Sequence, residues 1–248
     1  MRETVSLEQN KMPHNQKRPV ILSISLTAFL LAIAIILEFI GKTITIFSFL
    51  SINISLFVAF VCFFVLSFKY LNIFLLAKLL VLTFTISWSG FLINFLGVLI
   101  STLAQFFIIY FYYLFYLFFQ KILKRLKIFQ KLCSYYSLTF IFNYFCAMIC
   151  ATLIMVFLNT FVFNTLYFYA ANVITKPSLH EILKNYQASF SVFFFGIKNY
   201  YLGSFVLYLT FNLMNYAING ALVEFILILE KQTQFLTKYI SVYTNNKY

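Results

Sequence analysis

The chain contains no aspartate, six glutamates, two histidines, six glycines and three prolines in 248 residues. Each shortage excludes something. The acidic side chains are Glu3, Glu8, Glu38, Glu181, Glu224 and Glu230, and no two of them form a carboxylate pair within an apolar run, which removes the usual acid–base arrangement of a hydrolase. The second histidine opens "HEILK", residues 180–184, a near miss for the zinc-protease helix in which Lys184 stands at the second ligand position. One ligand cannot hold a catalytic zinc. A glycine-rich phosphate loop is missing, so the chain is not itself an ATPase, and energy for any transport has to come from a partner or a gradient. The reading is of a non-enzyme without a metal or a resident cofactor. Scarce glycine and proline also predict mostly unbroken helices, unlike the discontinuous helices of many secondary transporters.

Charged residues make up 10% of the chain, hydrophobic ones 63%, and mean hydropathy is +0.93. That is too little polar side chain to cover a soluble globule, and the apolar runs reach membrane-spanning length. The fold class expected is an all-α integral membrane protein, with helices at 20–40, 52–68, 70–87, 91–118, 136–163 and 203–229, six in all. An even number of spans leaves both termini on one side. Basic residues flank cytoplasmic helix ends, and three clusters fall together when six spans are threaded: Arg2, Lys11, Lys17 and Arg18; Lys121, Lys124, Arg125, Lys127 and Lys131; Lys231 and Lys238. The expected organisation is a cytoplasmic basic segment over 1–19, a membrane domain over 20–230 and a cytoplasmic tail over 231–248, in a multi-pass protein of the cell membrane. Much of the +12 net charge is thereby topological, which argues against nucleic acid as a partner. The first span runs into "GKTITIF" without a small-residue cleavage site and reads as an uncleaved helix. The outside segment 164–202, with Pro177, reads as a folded loop carrying a short interfacial helix. Cys62, Cys146, Cys150 and Cys133 read as free thiols.

Polar residues inside the spans carry the functional signal. Lys78 and Glu224 are placed by threading at similar depths, where they could pair in a transport role, fix helix packing or extend to the inner surface. Tyr208, Asn212, Asn215 and Asn219 are spaced 4, 3 and 4 apart and share one face of the last helix. Amides facing lipid are costly, so that face points inward, either to pack against other helices or to line a pocket for a solute with several hydrogen-bonding groups. Trp88, Ser89, Asn94, Asn53, the 43–48 loop, Asn172 and Tyr200 gather at the same outer end. Aromatic and amide walls suit a flat heterocycle, although aromatics also collect at any membrane interface. On the first span, Ser25, Ala28 and Ala32 form a stripe of small residues that would let another helix approach closely; Ala147 with Ala151 and Ala217 with Ala221 repeat the spacing.

The run "RPVILSISLTAFLLAIAIILEFIG", residues 18–41, resembles the first helix of the substrate-binding S components of energy-coupling factor (ECF) vitamin transporters. "LTFNLMNYAING", residues 209–220, is similar to the last-helix "PFNLIKG" of the riboflavin-type members, and the best match is to the divergent S components of mollicutes. The resemblance implies a subunit that captures a vitamin, riboflavin or another small heterocycle, from outside and docks on a membrane T subunit driven by two cytoplasmic ATPases. It makes Ala28-Phe29-Leu30-Leu31-Ala32 the family's A-x-x-x-A docking motif and keeps Asn212 as a ligand contact; with the residue reading above, the ligand-binding candidates are Trp88, Asn94, Tyr208, Asn212 and Asn215. The chain departs from the riboflavin-type motif at Thr210, where that motif has proline, and at Asn215, where it has lysine. A non-catalytic membrane scaffold, with aromatic spans serving packing alone, is the alternative reading of the same composition.

Overall fold

The computed structural model describes residues 20–46, 50–85, 90–125 and 136–233. Trp88, Ser89, Cys133 and the basic residues of 1–19, Lys127, Lys131 and Lys238 lie outside them. The described elements are helix α1 (Val20–Thr43), a two-strand ladder of β1 (Thr45–Ile46) and β2 (Leu50–Ser51), and helices α2 (Leu56–Val65), α3 (Phe68–Thr85), α4 (Phe91–Arg125) and α5 (Tyr136–Leu158). The chain continues through α6 (Asn164–Ala170) and α7 (Leu179–Asn185) to α8 (Tyr200–Thr233). Five helical stretches are long and apolar enough to cross a membrane: Val20–Thr43, Phe68–Thr85, Phe91–Lys121, Thr139–Ala170 and Tyr200–Glu230. This is the architecture of an all-α membrane protein. The distribution of side chains agrees, because Phe29, Leu76, Phe84, Phe157 and Phe225 face outward while Lys78, Ser55 and Asn219 are fully buried. A water-soluble monomer rarely exposes apolar surface on that scale.

The sequence expectation of a full helix over 52–68 is corrected. Residues 50–55 are extended or turning, and α2 contains only ten residues. At 1.5 Å per residue α2 is about 15 Å long, roughly half of a bilayer core. Its sequence, LFVAFVCFFV, is apolar all round, as befits a helix with no solvent face, and eight of its residues are buried. It packs against α1, α3, α4 and α8. Phe60 meets Tyr112 edge-on at 5.6 Å and Tyr144 at 5.5 Å, joining α2 to α4 and α5. Around it α4 packs on α3 and α5, and α5 on α8. Ala147 and Ala151 are fully buried in this core. At Gly220 a Cβ would sit 2.6 Å from the Tyr144 ring, so α8 approaches α5 closely there.

Extended backbone inside a helical bundle needs hydrogen-bond partners, and α8 supplies them. Asn215 Oδ1 accepts from Asn53 N at 3.0 Å. Asn219 Nδ2 donates to Asn53 O at 2.7 Å, and its Oδ1 accepts from Phe57 N at 3.1 Å, serving the first turn of α2. On the other side, the end of α1 comes so close to Ile52 that a Cβ at Gly41 would lie 2.3 Å from its carbonyl oxygen. Glycine and proline scarcity therefore did not exclude a broken span, because asparagine side chains do the work that helical hydrogen bonds would otherwise do.

The segment delivers Ser55 to a buried ion pair. Lys78 Nζ lies 2.9 Å from Glu38 Oε2 and donates to Ser55 Oγ at 2.6 Å. The carboxylate at Lys78 is thus Glu38 of α1, not Glu224. Asn219 is the α8 residue level with the start of α2, and Glu224 lies about 7 to 8 Å further along α8 at 1.5 Å per residue. Glu38 is also met by Ser55 Oγ at 2.6 Å and receives Ser101 Oγ at 3.1 Å on its other oxygen. Gln105 Nε2 donates to Ser55 Oγ at 2.9 Å and to Asn53 Oδ1 at 3.0 Å. Ser55 accepts from Lys78 and Gln105 and has one proton to give, so its hydroxyl is saturated.

Removing one member of a buried, hydrogen-bonded ion pair leaves the other charge uncompensated. Lys78→Met is expected to destabilise the protein by about 3 to 5 kcal/mol. Glu38→Gln combined with Lys78→Met should recover much of that loss. Thermal unfolding of the purified variants in detergent checks this; equal melting of wild type and Lys78→Met would remove the pair from its structural role.

Candidate functional site

A cavity of about 570 Å³ lies between α1, α4, α5, α6 and α8, beside β2 and Asn53. That volume is within the range of small-molecule sites, roughly 300 to 1,000 Å³. Its position follows from helix direction. Asn94, Gly97 and Ser101 line it from the first turns of α4, which then runs away to Arg125 and the basic connection. The cavity is therefore at the end of the bundle that carries the β1–β2 ladder and the connection from α6 to α8.

The polar face of α8 divides by depth. Tyr208, Asn212, Asn215 and Asn219 are all buried, but they do different things. Asn219 is committed to Asn53 and Phe57 and does not line the cavity. Asn215 lines the cavity and also holds Asn53 through its oxygen. Tyr208 lines it and donates its hydroxyl to Asn164 Oδ1. Asn212 lines it with its amide nitrogen buried and without a hydrogen-bond partner among the described residues. A buried donor left unmade costs about 1 to 3 kcal/mol unless something else accepts from it.

Asn94 faces the cavity from α4. Its Nδ2 donates to Leu82 O and Thr83 O, both at 3.0 Å, which ties the start of α4 to the end of α3. Its Oδ1 then points to Lys42 Nζ at 3.5 Å. Trp88, expected beside Asn94, lies outside the described residues.

A second wall comes from α5 and α6. Between them Asn159–Phe163 widens into a π turn in which the backbone N–H of Asn164 reaches the carbonyl of Asn159. Such insertions recur at functional sites. In an unbroken α-helix residues five apart diverge, whereas the wider turn lets Asn159 and Asn164 both line the cavity. Asn164 is held by Tyr208 and by Tyr200, whose hydroxyl accepts from Asn164 Nδ2 at 3.0 Å and donates to Thr160 O at 2.6 Å. Asn172, further on, sits in the turn after α6 with φ 57°.

The segment 164–202 closes this end. Ser178 caps α7 by accepting from Glu181 N at 3.3 Å. Ile182, Tyr186, Phe190 and Phe194 then pack with Phe168, Tyr200 and Tyr208 as a second core. Phe168 and Tyr208 belong both to that core and to the cavity wall. At Gly203 a Cβ would lie 2.4 Å from the Tyr186 hydroxyl and 2.9 Å from Phe194, so the segment is pressed directly on α8.

The small stripe is elsewhere. Ser25, Ala28 and Ala32 are exposed on α1, whose buried positions are Ser23, Thr27, Ala34, Glu38 and Gly41. The stripe thus faces away from the bundle, in contrast to Ala147 and Ala151. Ala217 and Ala221 are exposed as well.

Reasoning from sequence passed over Glu38, Lys42, Ser55, Ser101, Gln105, Asn159 and Asn164. Signals existed for several. "SINIS", residues 51–55, alternates polar and apolar residues, which is the period of extended chain. Glu38 with Lys42 and Ser101 with Gln105 are both four apart, hence neighbours on a helix face. The five-residue spacing of Asn159 and Asn164 has no meaning until the π turn is known.

No protein-family model matches the chain, and no solved structure matches it. It is similar to the "Uncharacterized protein MG350.1 homolog" of Mycoplasma pneumoniae, with 28% identity over 203 residues, which cover 79% of this chain and 81% of that protein.

Proposed function

We propose that this chain is a membrane-embedded solute-binding subunit, the S component of an ECF-type importer. It captures a vitamin-like small heterocycle from outside and delivers it by docking on a T subunit driven by two cytoplasmic ATPases. The observation that carries the reading is the cavity of about 570 Å³ lined by Tyr208, Asn212 and Asn215 from the polar face of α8. Two further features support it. The stripe of Ser25, Ala28 and Ala32 is exposed on α1 and free to meet a partner helix. The last-helix similarity to the riboflavin-type members covers Asn212 itself. On this reading residues 50–65 form a sixth pass, an extended half followed by α2. The basic clusters at both ends of the chain and at 120–131 are cytoplasmic, opposite the cavity, and the membrane is the cell membrane.

Asn212→Leu is expected to abolish solute retention with no loss of thermal stability, because it removes an unpaired buried donor. Asn219→Leu should instead destabilise the protein by roughly 1 to 3 kcal/mol, since it strips partners from Asn53 and Phe57. Mass spectrometry of small molecules released from the purified proteins, with melting curves, separates the two. Unchanged retention in Asn212→Leu would move the whole polar face to packing and favour the scaffold.

Ala28→Trp and Ala32→Trp should leave folding and solute retention intact while ending co-purification with a T subunit, because the bulky ring holds the helix surfaces apart. Variants that still assemble and transport would make the stripe incidental.

Topology is checked with reporter tags. Tags at residue 1, near residue 126 and at residue 248 should report the cytoplasm, and one near Pro177 the outside. An outside signal near residue 126 would overturn the six-pass arrangement.

A further inference from the structure

Two charged side chains line the cavity, Glu38 and Lys42. They lie four residues apart on α1 and so face the same way, but their situations differ. Glu38 is engaged at both oxygens: Lys78 and Ser55 lie at one and Ser101 at the other. Lys42 has a single long contact, 3.5 Å to Asn94 Oδ1, and no carboxylate within ion-pair distance among the described residues. The neighbouring stretches 47–49 and 86–89 contain no acidic residue either. Lys78 neutralises Glu38, so the cavity carries one positive charge in excess.

Among the hydrogen-bonding groups, Asn212 lines the cavity with its Nδ2 buried. Asn215 uses its oxygen on Asn53 N, which leaves its amide nitrogen as the end available to the cavity. Lys42 and the Asn215 amide are both donors, and they suit a ligand with acceptors.

We infer that the solute is a small carboxylic acid, its carboxylate held by Lys42 and a further acceptor met by the Asn215 amide. This assignment rests on the solute-binding reading of the same cavity. A single cation matches a carboxylate of charge −1 better than a phosphate monoester, which carries about −1.5 to −2 at neutral pH. A cationic solute would need the charge of Glu38, which Lys78 already neutralises.

The test uses the full-length protein in detergent, incubated with the low-molecular-weight fraction of yeast extract and washed, with retained compounds measured by mass spectrometry. Compounds kept by wild type and not by Asn212→Leu are the ligands of the cavity. They should be carboxylic acids, retained at least tenfold less by Lys42→Met and near the wild-type level by Lys42→Arg, with all variants monodisperse. Neutral, cationic or phosphorylated ligands, or carboxylic acids kept equally by Lys42→Met, would overturn the assignment while leaving the cavity a binding site. A wild-type protein that retains nothing overturns both readings at once.

Discussion

A lysine buried among membrane-type helices is the constraint on which the rest of the structure depends. An isolated ammonium in an apolar surrounding is costly enough that it survives only with a counter-charge and hydrogen bonds. Glu38 supplies the charge from α1 and Ser55 the hydrogen bond, so α1 and α3 are fixed to each other and the chain between them must bring Ser55 to the same point. That requirement explains why residues 50–53 are extended and 54–55 turn into α2. A helix beginning at Ile52 would spend its first turn where Ser55 and Asn53 now project in the directions that Lys78, Gln105 and α8 need.

Extended backbone in turn exposes N–H and C=O groups where there is no water to take them. Asn215 and Asn219 answer this from α8, and in doing so they separate the helix's polar face into a structural part and a part left over. Asn212, one turn nearer Tyr208, is beyond reach of the extended segment, and that is why its nitrogen remains unpaired. The cavity is the space above the polar hub, floored by Asn53 and Asn215. Its roof shares Phe168 and Tyr208 with the core of the segment 164–202. A solute in the cavity would therefore touch groups belonging to both the hub and the cover.

The sequence was legible where apolar runs are long and uninterrupted. The helices starting near 20, 70, 91, 136 and 203 appear within a few residues of the expected starts, though α4 and the α5–α6 stretch run on to Arg125 and Ala170. The inward direction of the α8 face could be read because amide spacing of 4, 3 and 4 has one helical interpretation. What could not be read depended on partners far apart in the chain. Lys78 and Glu38 are forty residues apart on helices whose relative depth is set by the extended segment between them, and straight threading of a full helix at 52–68 misplaces that depth. The π turn was equally hidden, since "LNTFVFN" is indistinguishable by period from ordinary helix.

Helix α1 joins the two functional features. Glu38 and Lys42 project from one side of it toward the cavity, and Ser25, Ala28 and Ala32 lie on the exposed side, nearer its other end. An unbroken helix of 24 residues transmits a tilt or rotation along its length without absorbing it. Its described packing is with α2, α3 and β2, and its polar ties to the bundle are the Glu38 cluster and the long contact from Lys42 to Asn94. A ligand charge arriving at Lys42, one turn from Glu38, acts on that same rod. In the proposed importer this gives solute binding a mechanical route to the docking face: the occupied cavity biases the pose of α1, and the pose of α1 sets how the small-residue stripe meets a partner helix. Coupling of this kind is reciprocal, so a docked partner would alter the affinity of the cavity by the same free energy that the solute contributes to docking.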